Sequence, residues 1–175
     1  KKYGEKLNVE GDKSINREQL ALLLNGRSIL PNGKIYDSML RQAINISELE
    51  PSTLEKYLVK PGDILIPSIS RGLNTIAIIP ECIRRQLLFS DALVRIRIKP
   101  EKAIPRFVFS FLRSDIGKSL LKRNASSFLL NDVRISVQSI SKTSIFLPPL
   151  SKQHNTDNSQ HNTEDSPEDI FQYVE

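Results

Sequence analysis

The alternation of apolar and polar residues predicts short helices and short strands along most of the chain. Strands are predicted for four apolar or alternating runs: residues 63–67, 75–79, 93–99 and 144–147. The first two runs flank a polar, glycine-containing loop at residues 68–74, and this spacing favours a hairpin. The last run ends at Pro148 and Pro149, which cannot continue a strand inside a sheet.

Capping patterns predict two helices in the first third of the chain. A capping box and a closing Asn-Gly pair enclose Leu20–Leu24, which is therefore expected to be helical. A second capping box, Ser52 with Glu55, precedes a short helix that is expected to stop before Pro61, since the residue ahead of a proline avoids helical geometry.

Two further helices are expected in the second half. Over residues 103–113 the apolar side chains share one face: Phe107, Val108, Phe111 and Leu112. Asp115 is expected to cap the next helix. The residues of that helix expected to face inward are Ile116, Leu120 and Leu121. Helices and strands mix without a regular βαβ alternation, so the expected fold class is α+β.

The positive charge is concentrated in the middle of the chain. The 175 residues carry a net charge of +5. Residues 60–142 hold fifteen Lys/Arg against six Asp/Glu, a net of +9, whereas residues 143–175 hold one against six, a net of −5. A basic block of this kind favours a polyanionic partner such as nucleic acid, and the alternative is an ordinary basic surface.

The C-terminal stretch differs in composition from the rest. Residues 151–169 contain no large apolar residue, a composition typical of disorder because such a segment cannot offset its ordering entropy. We therefore expect a recognition domain over residues 1–153 and a polar, acidic tail over 154–175. The apolar runs are far shorter than the roughly 20 residues that a membrane span needs, so no membrane association is expected.

The residues of common catalytic chemistry are missing from the predicted domain. Both histidines, His154 and His161, lie in the tail, and Cys82 is the single cysteine. A Ser-His-Asp site, a Cys-His site and a zinc site therefore lack their ligands or bases. No phosphate-binding glycine loop occurs either. We expect no catalytic residue, metal or cofactor in this chain, and we expect Cys82 to be a buried or half-buried thiol.

Two polar segments offer side chains that can contact DNA bases. Arg reads guanine and Asn reads adenine in a major groove, and Ser contacts either. The base-edge candidates are Arg71, Asn74, Asn124, Ser126 and Ser127. The alternative is that both segments are plain polar loops, which need no function.

Several cations offer phosphate contacts. The phosphate candidates are Arg84, Arg85, Lys118, Lys122 and Arg123. A further candidate is the second face of the strand at residues 93–99, formed by Arg95, Arg97 and Lys99. These three repeat every ~7 Å along a strand, the scale of successive phosphates. The alternative for both groups is a solvated outer face.

The order of several short motifs resembles one known family. The motifs in chain order are Tyr57 before Lys60-Pro61-Gly62-Asp63-Ile64-Leu65, Ser70-Arg71-Gly72, Arg95-Ile96, Ile104-Pro105-Arg106-Phe107-Val108, Phe111-Leu112-Arg113-Ser114 with Gly117, and Leu147-Pro148-Pro149-Leu150-Ser151-Lys152-Gln153. This ordered set resembles the target recognition domain of type I restriction–modification specificity subunits, and the resemblance covers about residues 20–153.

The resemblance implies a fold, a function and a set of partners. It implies a single α+β domain with a twisted mixed or antiparallel sheet and flanking helices, in which Gly62 and Gly72 are turn residues. It implies a non-catalytic, cytoplasmic module that recognises half of a split double-stranded DNA target. Separate methyltransferase and nuclease subunits would act on the DNA, so S-adenosylmethionine, ATP and Mg²⁺ are expected only in those partners.

The chain also departs from the family pattern. It has one domain where a specificity subunit has two, and Lys152 stands where an acidic residue is usual. We therefore expect a fragment, a half-length subunit that pairs with a second copy or a second recognition domain, or a degenerate relative. The alternative function is a non-catalytic protein-interaction or assembly module that no longer reads DNA. An RNA or single-strand binder is a third interpretation, for which stacking aromatics are scarce.

Overall fold

The computed structural model describes residues 19–36, 40, 42–71, 73–83, 85–129 and 132–153. Nine strands fall in these ranges: β1 (Leu20–Leu24), β2 (Ala43–Asn45), β3 (Ile64–Pro67), β4 (Ile69–Arg71), β5 (Ala77–Ile78), β6 (Gln86–Phe89), β7 (Leu93–Ile96), β8 (Ser127–Leu129) and β9 (Asp132–Arg134). Five helices accompany them: α1 (Pro51–Tyr57), α2 (Pro105–Arg113), α3 (Asp115–Arg123), α4 (Val137–Ser141) and α5 (Leu150–Gln153). This mixture confirms the α+β class.

The described strands form three small sheets of three strands each, in the orders β2-β1-β6, β5-β3-β7 and β4-β9-β8. β3 lies between β5 and β7 and is antiparallel to both, with Ile64 opposite Ile78 and Ile96. The predicted antiparallel pairing of the two runs is therefore confirmed, whereas the simple hairpin loop between them is wrong. Their connection is more than a loop, because it contains β4, which leaves this sheet and pairs with β9.

The β5-β3-β7 sheet is the centre of the molecule because both of its faces are covered. All four residues of β3 and all four of β7 are buried. One face packs against α2 and α3 through Ile64, Ile66, Val94, Val108, Leu112 and Leu121. The other face packs against the β2-β1-β6 sheet through Leu65, Leu93, Leu24 and Leu87. Burial of each such side chain stabilises the fold by about 1.5–3 kcal/mol.

Residues 20–24 form a strand, so the predicted helix there is wrong. β1 pairs with β2 on one side and with β6 on the other. As a strand between two others and against the core, this leucine-rich run buries more apolar surface than it would as an isolated helical turn. This tertiary context overrides its helix propensity. Asn25 does not end a helix but begins a 3-10 turn at Gly26–Ser28, where its side chain accepts a hydrogen bond from the Arg27 N–H.

α1, α2 and α3 occupy the predicted positions, with different caps. Glu50 is the N-cap of α1, and Pro51 takes its first position, so Ser52 lies within the helix and caps nothing. Ser114, not Asp115, caps α3 by accepting from the Gly117 N–H. The predicted apolar face of α2 is confirmed, with Val108 and Leu112 buried.

On α3 the predicted inward face holds in part. Leu121 is fully buried, Leu120 is half-buried, and Ile116 is 67% exposed, so Ile116 was placed wrongly. The C-capping residue Asn124 ends the helix and leads directly towards β8.

The end of the described chain corrects two further predictions. Residues 144–147 contain no strand beyond an isolated bridge at Phe146, because the prolines at 148 and 149 follow at once. Residues 151–153, whose composition is typical of disorder, belong to α5, and Gln153 is 3% exposed. The predicted tail, residues 154–175, lies outside the described residues. Among the helices described, none is long and apolar enough to cross a membrane.

Candidate nucleic-acid interface

The β4-β9-β8 sheet joins the two polar segments that the sequence presents separately. β9 lies between β4 and β8 and is antiparallel to both. Arg71 is in register with Asp132, and Ser127 is in register with Arg134. The Ser126 N–H extends the ladder by donating to the Arg134 carbonyl at 3.0 Å. Positions 71 and 127 therefore lie on opposite edge strands of one sheet, two strand spacings apart across the sheet and two residues apart along it, which is about 12 Å.

This sheet has one buried face and one open face. On the buried face, Ser70 is 5% exposed and Val133 is 3% exposed, and Val133 contributes to the core. On the open face, Ile69 is 54% exposed and Arg134, its register partner, is exposed. A half-buried sheet of this kind presents alternate residues to a partner while its other face anchors it.

The base-edge candidates differ in what their side chains already do. Asn74 is exposed, and Ser126 is exposed with its hydroxyl donating to the Arg134 carbonyl at 3.1 Å. Asn124 has a structural contact instead: its Nδ2 donates to the Lys142 carbonyl at 2.9 Å and to the Thr143 hydroxyl at 3.1 Å. These bonds use both amide hydrogens, so Asn124 has none left for an adenine. For Arg71 and Ser127 the backbone alone is described.

The phosphate candidates Lys118, Lys122 and Arg123 lie on α3. Lys122 and Arg123 are exposed in the last turn, where positive charge also favours the negative end of the helix dipole. Lys118 is half-buried one turn earlier, on the same side as Lys122. Only Asn124 and Ala125 separate α3 from Ser126, so this cationic helix end adjoins the β4-β9-β8 sheet.

The other two phosphate candidates are not part of this group. Arg85 is exposed just before β6, which belongs to the β2-β1-β6 sheet, so it shares no element with the cations of α3. Arg84 lies outside the described residues. Both stay predictions, and Arg85 does not contribute to the surface formed by α3 and the β4-β9-β8 sheet.

The predicted cationic face of β7 is buried at Arg95 and partly buried at Arg97, so both interpretations are wrong for these two residues. Arg95 is 4% exposed, its Nη1 donates to the Leu58 carbonyl at 3.1 Å, and its guanidinium lies 5.1 Å from the Phe89 ring centre. Arg97 is held by Asp63. The alternation was correct, but the β2-β1-β6 sheet covers the second face. Arg95 and Arg97 therefore hydrogen-bond to other parts of the protein and are not phosphate contacts. Lys99, beyond the strand, is exposed.

The structure corrects the prediction for Cys82. Cys82 is exposed rather than buried, because it lies in the connection between β5 and β6. Over the described ranges, no three His, Cys, Asp or Glu side chains gather where they could hold a metal ion.

Comparison with known proteins adds the family context. A structure from work on complex assembly and conformational transition of the type I R-M system matches 81% of this chain, with a TM-score of 0.62 and 20% identity. The crystal structure of the HsdS subunit from Thermoanaerobacter tengcongensis matches 79%, with a TM-score of 0.57 and 21% identity. This chain covers 35% and 34% of those chains, about a third of their length. No family model and no curated protein matches the sequence.

The chain has the fold of type I restriction–modification specificity subunits. The resemblance drawn from the ordered motifs is thereby confirmed at the level of fold. The structure also explains why the motifs of this specificity-subunit fold lie where they do, because each of the three most distinctive ones forms a joint between elements.

The Lys60-Pro61-Gly62-Asp63 motif is the turn into β3. Gly62 has a φ of +82°, a left-handed conformation that favours glycine. The Asp63 carboxylate is 1% exposed and accepts from the Lys60 N–H at 2.8 Å, which closes the turn. Gly62 is thus a turn residue as expected, whereas Gly72 lies outside the described residues.

Tyr57, which precedes this motif, ties α1 to the turn between β6 and β7. Its hydroxyl donates to the Asp91 carboxylate at 2.9 Å, and its ring lies 5.5 Å from the Phe89 ring. The hydrogen bond to Asp91, then burial, raise the pKa of the Tyr57 phenol above its ordinary value. Tyr57 is therefore a structural contact that keeps its proton well into the alkaline range.

The Leu112-Arg113-Ser114…Gly117 motif is the joint between α2 and α3. Leu112 is buried, and the Ser114 hydroxyl donates to the Phe111 carbonyl at 2.6 Å while accepting from the Gly117 N–H at 3.1 Å. A Cβ on Gly117 would lie 2.1 Å from the Phe111 carbonyl oxygen. Only glycine lets α3 approach α2 this closely, so the motif fixes the direction in which Lys118 and Lys122 are presented.

The closing Leu-Pro-Pro-Leu-x-x-Gln motif returns the chain to the start of α2. Gln153 accepts from the Ile104 N–H at 2.8 Å and donates to the Pro148 carbonyl at 2.7 Å. Its amide thus pairs with one half-buried donor and one half-buried acceptor at the two ends that it joins. This bond explains why a glutamine falls at the end of the motif.

Sequence reasoning missed Ile69 and Arg134 on the open face of the β4-β9-β8 sheet. Residues 69–71 were treated as loop, and residues 132–134 carried no strand prediction. The available signal was the match of two short alternating tripeptides, Ile69-Ser70-Arg71 and Asp132-Val133-Arg134. Such short strands are specified by pairing across 60 residues of chain, which no local pattern reports.

Proposed function

We propose that this chain is a sequence-specific double-stranded DNA recognition module of a type I restriction–modification system, either a specificity subunit or a half-subunit. The observation that carries the proposal is the β4-β9-β8 sheet, which brings two polar segments together beside the cationic end of α3. The fold shared with the type I structures and the net charge of +9 over residues 60–142 support it.

In this proposal the sheet and the helix have different tasks. Arg71, Asn74, Ser126 and Ser127 contact base edges, which carry the sequence information. Lys118, Lys122 and Arg123 contact phosphates, which hold the module in register on the duplex. Arg134 is added to the residues proposed to contact phosphates, because it is exposed between the two base-reading segments. Asn124 is left out, since both hydrogens of its amide are engaged.

The chemistry in this proposal belongs to partner subunits. The module itself is non-catalytic and directs separate methyltransferase and nuclease subunits, which use S-adenosylmethionine, ATP and Mg²⁺. A split DNA target would require a second copy of this chain or a second recognition domain. The system acts on cellular DNA, so the proposed location is the cytoplasm.

Binding to a random-sequence duplex at about 50 and 200 mM salt tests the proposal, because log K falls against log salt with a slope of about −0.9 per phosphate contact. We expect K122A and R123A each to reduce the slope by about 0.9. K56A is the charge-matched control: Lys56 is exposed on α1, which contacts β6 rather than the β4-β9-β8 sheet. That variant should keep the wild-type slope.

Two results would count against the proposal. If the wild type binds no duplex at low salt, the assembly module that no longer reads DNA becomes the better interpretation. If K56A changes the slope as much as K122A does, DNA binding is a property of overall charge and α3 is not the phosphate contact.

A further inference from the structure

We infer that Arg113 is a positioning residue for sequence recognition, which holds the segment at residues 73–76 in a fixed relation to α2 and α3. This inference rests on the proposed function, since it concerns the same surface. Arg113 ends α2 and lies just before Ser114, the cap of α3. Its side chain turns away from α3 and binds backbone carbonyls in two other parts of the chain.

The contacts of Arg113 join three segments that are far apart in sequence. Its Nη1 donates to the Ile76 carbonyl at 3.0 Å and reaches the Asn74 carbonyl at 3.4 Å. Its Nη2 donates to the Pro31 carbonyl at 3.0 Å, and the guanidinium lies 5.5 Å from the Phe109 ring centre. A planar guanidinium can serve carbonyls on different segments at once, which the point charge of a lysine cannot reproduce.

The surroundings are built to admit this guanidinium. Gly33 has a φ of +81°, and a Cβ there would lie 2.7 Å from Arg113 Nη1 and 2.8 Å from the Ile76 carbonyl oxygen. A side chain at position 33 would therefore push Arg113 off its carbonyls. The connection between β1 and β2 thus leaves space at the point where Arg113 crosses it.

The segment that Arg113 holds has a conformation that needs support. Leu73 is fully buried with a φ of +57°, an uncommon geometry for a residue with a side chain. The hydroxyls of Ser70 and Thr75 lie 3.1 Å apart and link the two ends of the connection from β4. Such a conformation persists when its surroundings determine it from several sides. Arg113 provides one of these restraints, next to the exposed base-edge candidate Asn74.

The functional consequence follows from the two tasks of the interface. Base contacts discriminate only if they are fixed relative to the phosphate contacts that set the register. Arg113 links the segment that carries Asn74 to the helix pair that carries Lys118 and Lys122. Its own donors bind carbonyls of the protein itself, so in this proposal it contributes to specificity without touching a phosphate.

The test compares R113A and R113K with wild type, and uses R106A as a matched control because Arg106 is exposed on the same helix. The preferred target is selected from a random duplex pool with the wild type. Each protein then binds that target and a scrambled duplex, at a temperature where circular dichroism shows it folded. Amide hydrogen exchange at residues 73–76 is measured in parallel.

We expect R113A to bind the scrambled duplex within about threefold of wild type, with the same salt slope, because no phosphate contact is lost. We expect its preference for the selected target to fall about tenfold or more, the discrimination of one good base contact. Amide hydrogen exchange at residues 73–76 should be faster in R113A than in wild type. R113K should recover little of the lost target preference, and R106A should behave as wild type. R113K also serves as the milder substitution if R113A does not fold.

Failure of the inference and failure of the proposed function give different results. If the wild type selects no target, the proposed function fails and this inference falls with it. If the wild type discriminates and folded R113A or R113K discriminates equally well, this inference alone is overturned. Loss of scrambled and selected binding by the same factor would show a general structural role, which also overturns it.

Discussion

The Asp63 carboxylate and the Arg97 guanidinium meet at two points, with Nε to Oδ1 and Nη2 to Oδ2 both at 2.8 Å. The Asp63 side chain is 1% exposed and that of Arg97 is 29% exposed. Because Asp63 also closes the turn before β3, one carboxylate joins that turn to the end of β7. Two-point pairs of this geometry are among the stronger contacts between side chains.

Replacing Asp63 with Asn should lower the free energy of unfolding by about 2–3 kcal/mol, because the change removes the negative charge and replaces one of the two carboxylate oxygens that accept from Arg97 with a donor. Urea denaturation of wild type and D63N measures the difference. D91N removes an exposed carboxylate of equal charge and should cost less than about 1 kcal/mol. If D63N and D91N lose the same free energy of unfolding, the Asp63–Arg97 pair stabilises the fold no more than an exposed carboxylate does.

The local patterns predicted β3, β7, α2 and α3 because each of these elements carries its own periodicity. The apolar face of α2 and the alternation of β7 were both correct. The local patterns gave the wrong prediction at residues 20–24. The leucine-rich run there has no distinguishing period, and the neighbouring strands decide its conformation. Information about a partner strand that is distant in sequence is absent from any local window.

The β7 arginines show a second limit of sequence reasoning. Alternating Arg95 and Arg97 normally indicate a solvated face, and here that face meets a second sheet. The candidate interface was predicted in part for the same reason: the residues of α3 were identified from local pattern, whereas Ile69 and Arg134 became visible only once β4 and β9 paired. Burial and pairing across the chain are tertiary facts, and periodicity reports only what is near in sequence.

Substituting Gly117 with Ala should destabilise the joint between α2 and α3 by about 2–3 kcal/mol, since a methyl group 2.1 Å from the Phe111 carbonyl oxygen forces the helices apart. Thermal unfolding monitored by circular dichroism measures the loss. S119A is the control on the same helix, because Ser119 is exposed and alanine favours the helix. A G117A variant as stable as S119A would contradict the close approach of the two helices.

Replacing Gln153 with Ala should lower the free energy of unfolding by about 1–3 kcal/mol, because the half-buried Ile104 N–H and the half-buried Pro148 carbonyl both lose their partner. Q153E should recover only part of the loss, since a carboxylate still accepts from Ile104 but cannot donate to Pro148. S151A, which truncates an exposed side chain two residues earlier, is the control. If Q153A and S151A unfold at the same urea concentration, the amide of Gln153 does not hold the end of the domain.

The hydrogen bond from Tyr57 to Asp91 predicts a pH-dependent stability. The pKa of Tyr57 is raised above 10.0 in the folded protein, first by this bond and then by burial. The folded state therefore favours the protonated phenol, and this contribution is fully present below pH 10 and is lost as the pH rises through the folded-state pKa. Y57F should thus be less stable than wild type by about 0.5–1 kcal/mol near neutral pH.

The same difference should shrink towards zero as the pH rises above 10, because the ionised phenol can no longer donate to Asp91. Urea denaturation of wild type and Y57F at a series of pH values measures it. D91N removes the acceptor charge, so the Tyr57 hydroxyl in that variant should ionise at lower pH than in wild type, as followed by phenolate absorbance against Y57F. A difference near zero at every pH would show that Tyr57 stabilises the fold through its ring contact with Phe89, which Y57F retains, and not through its hydroxyl.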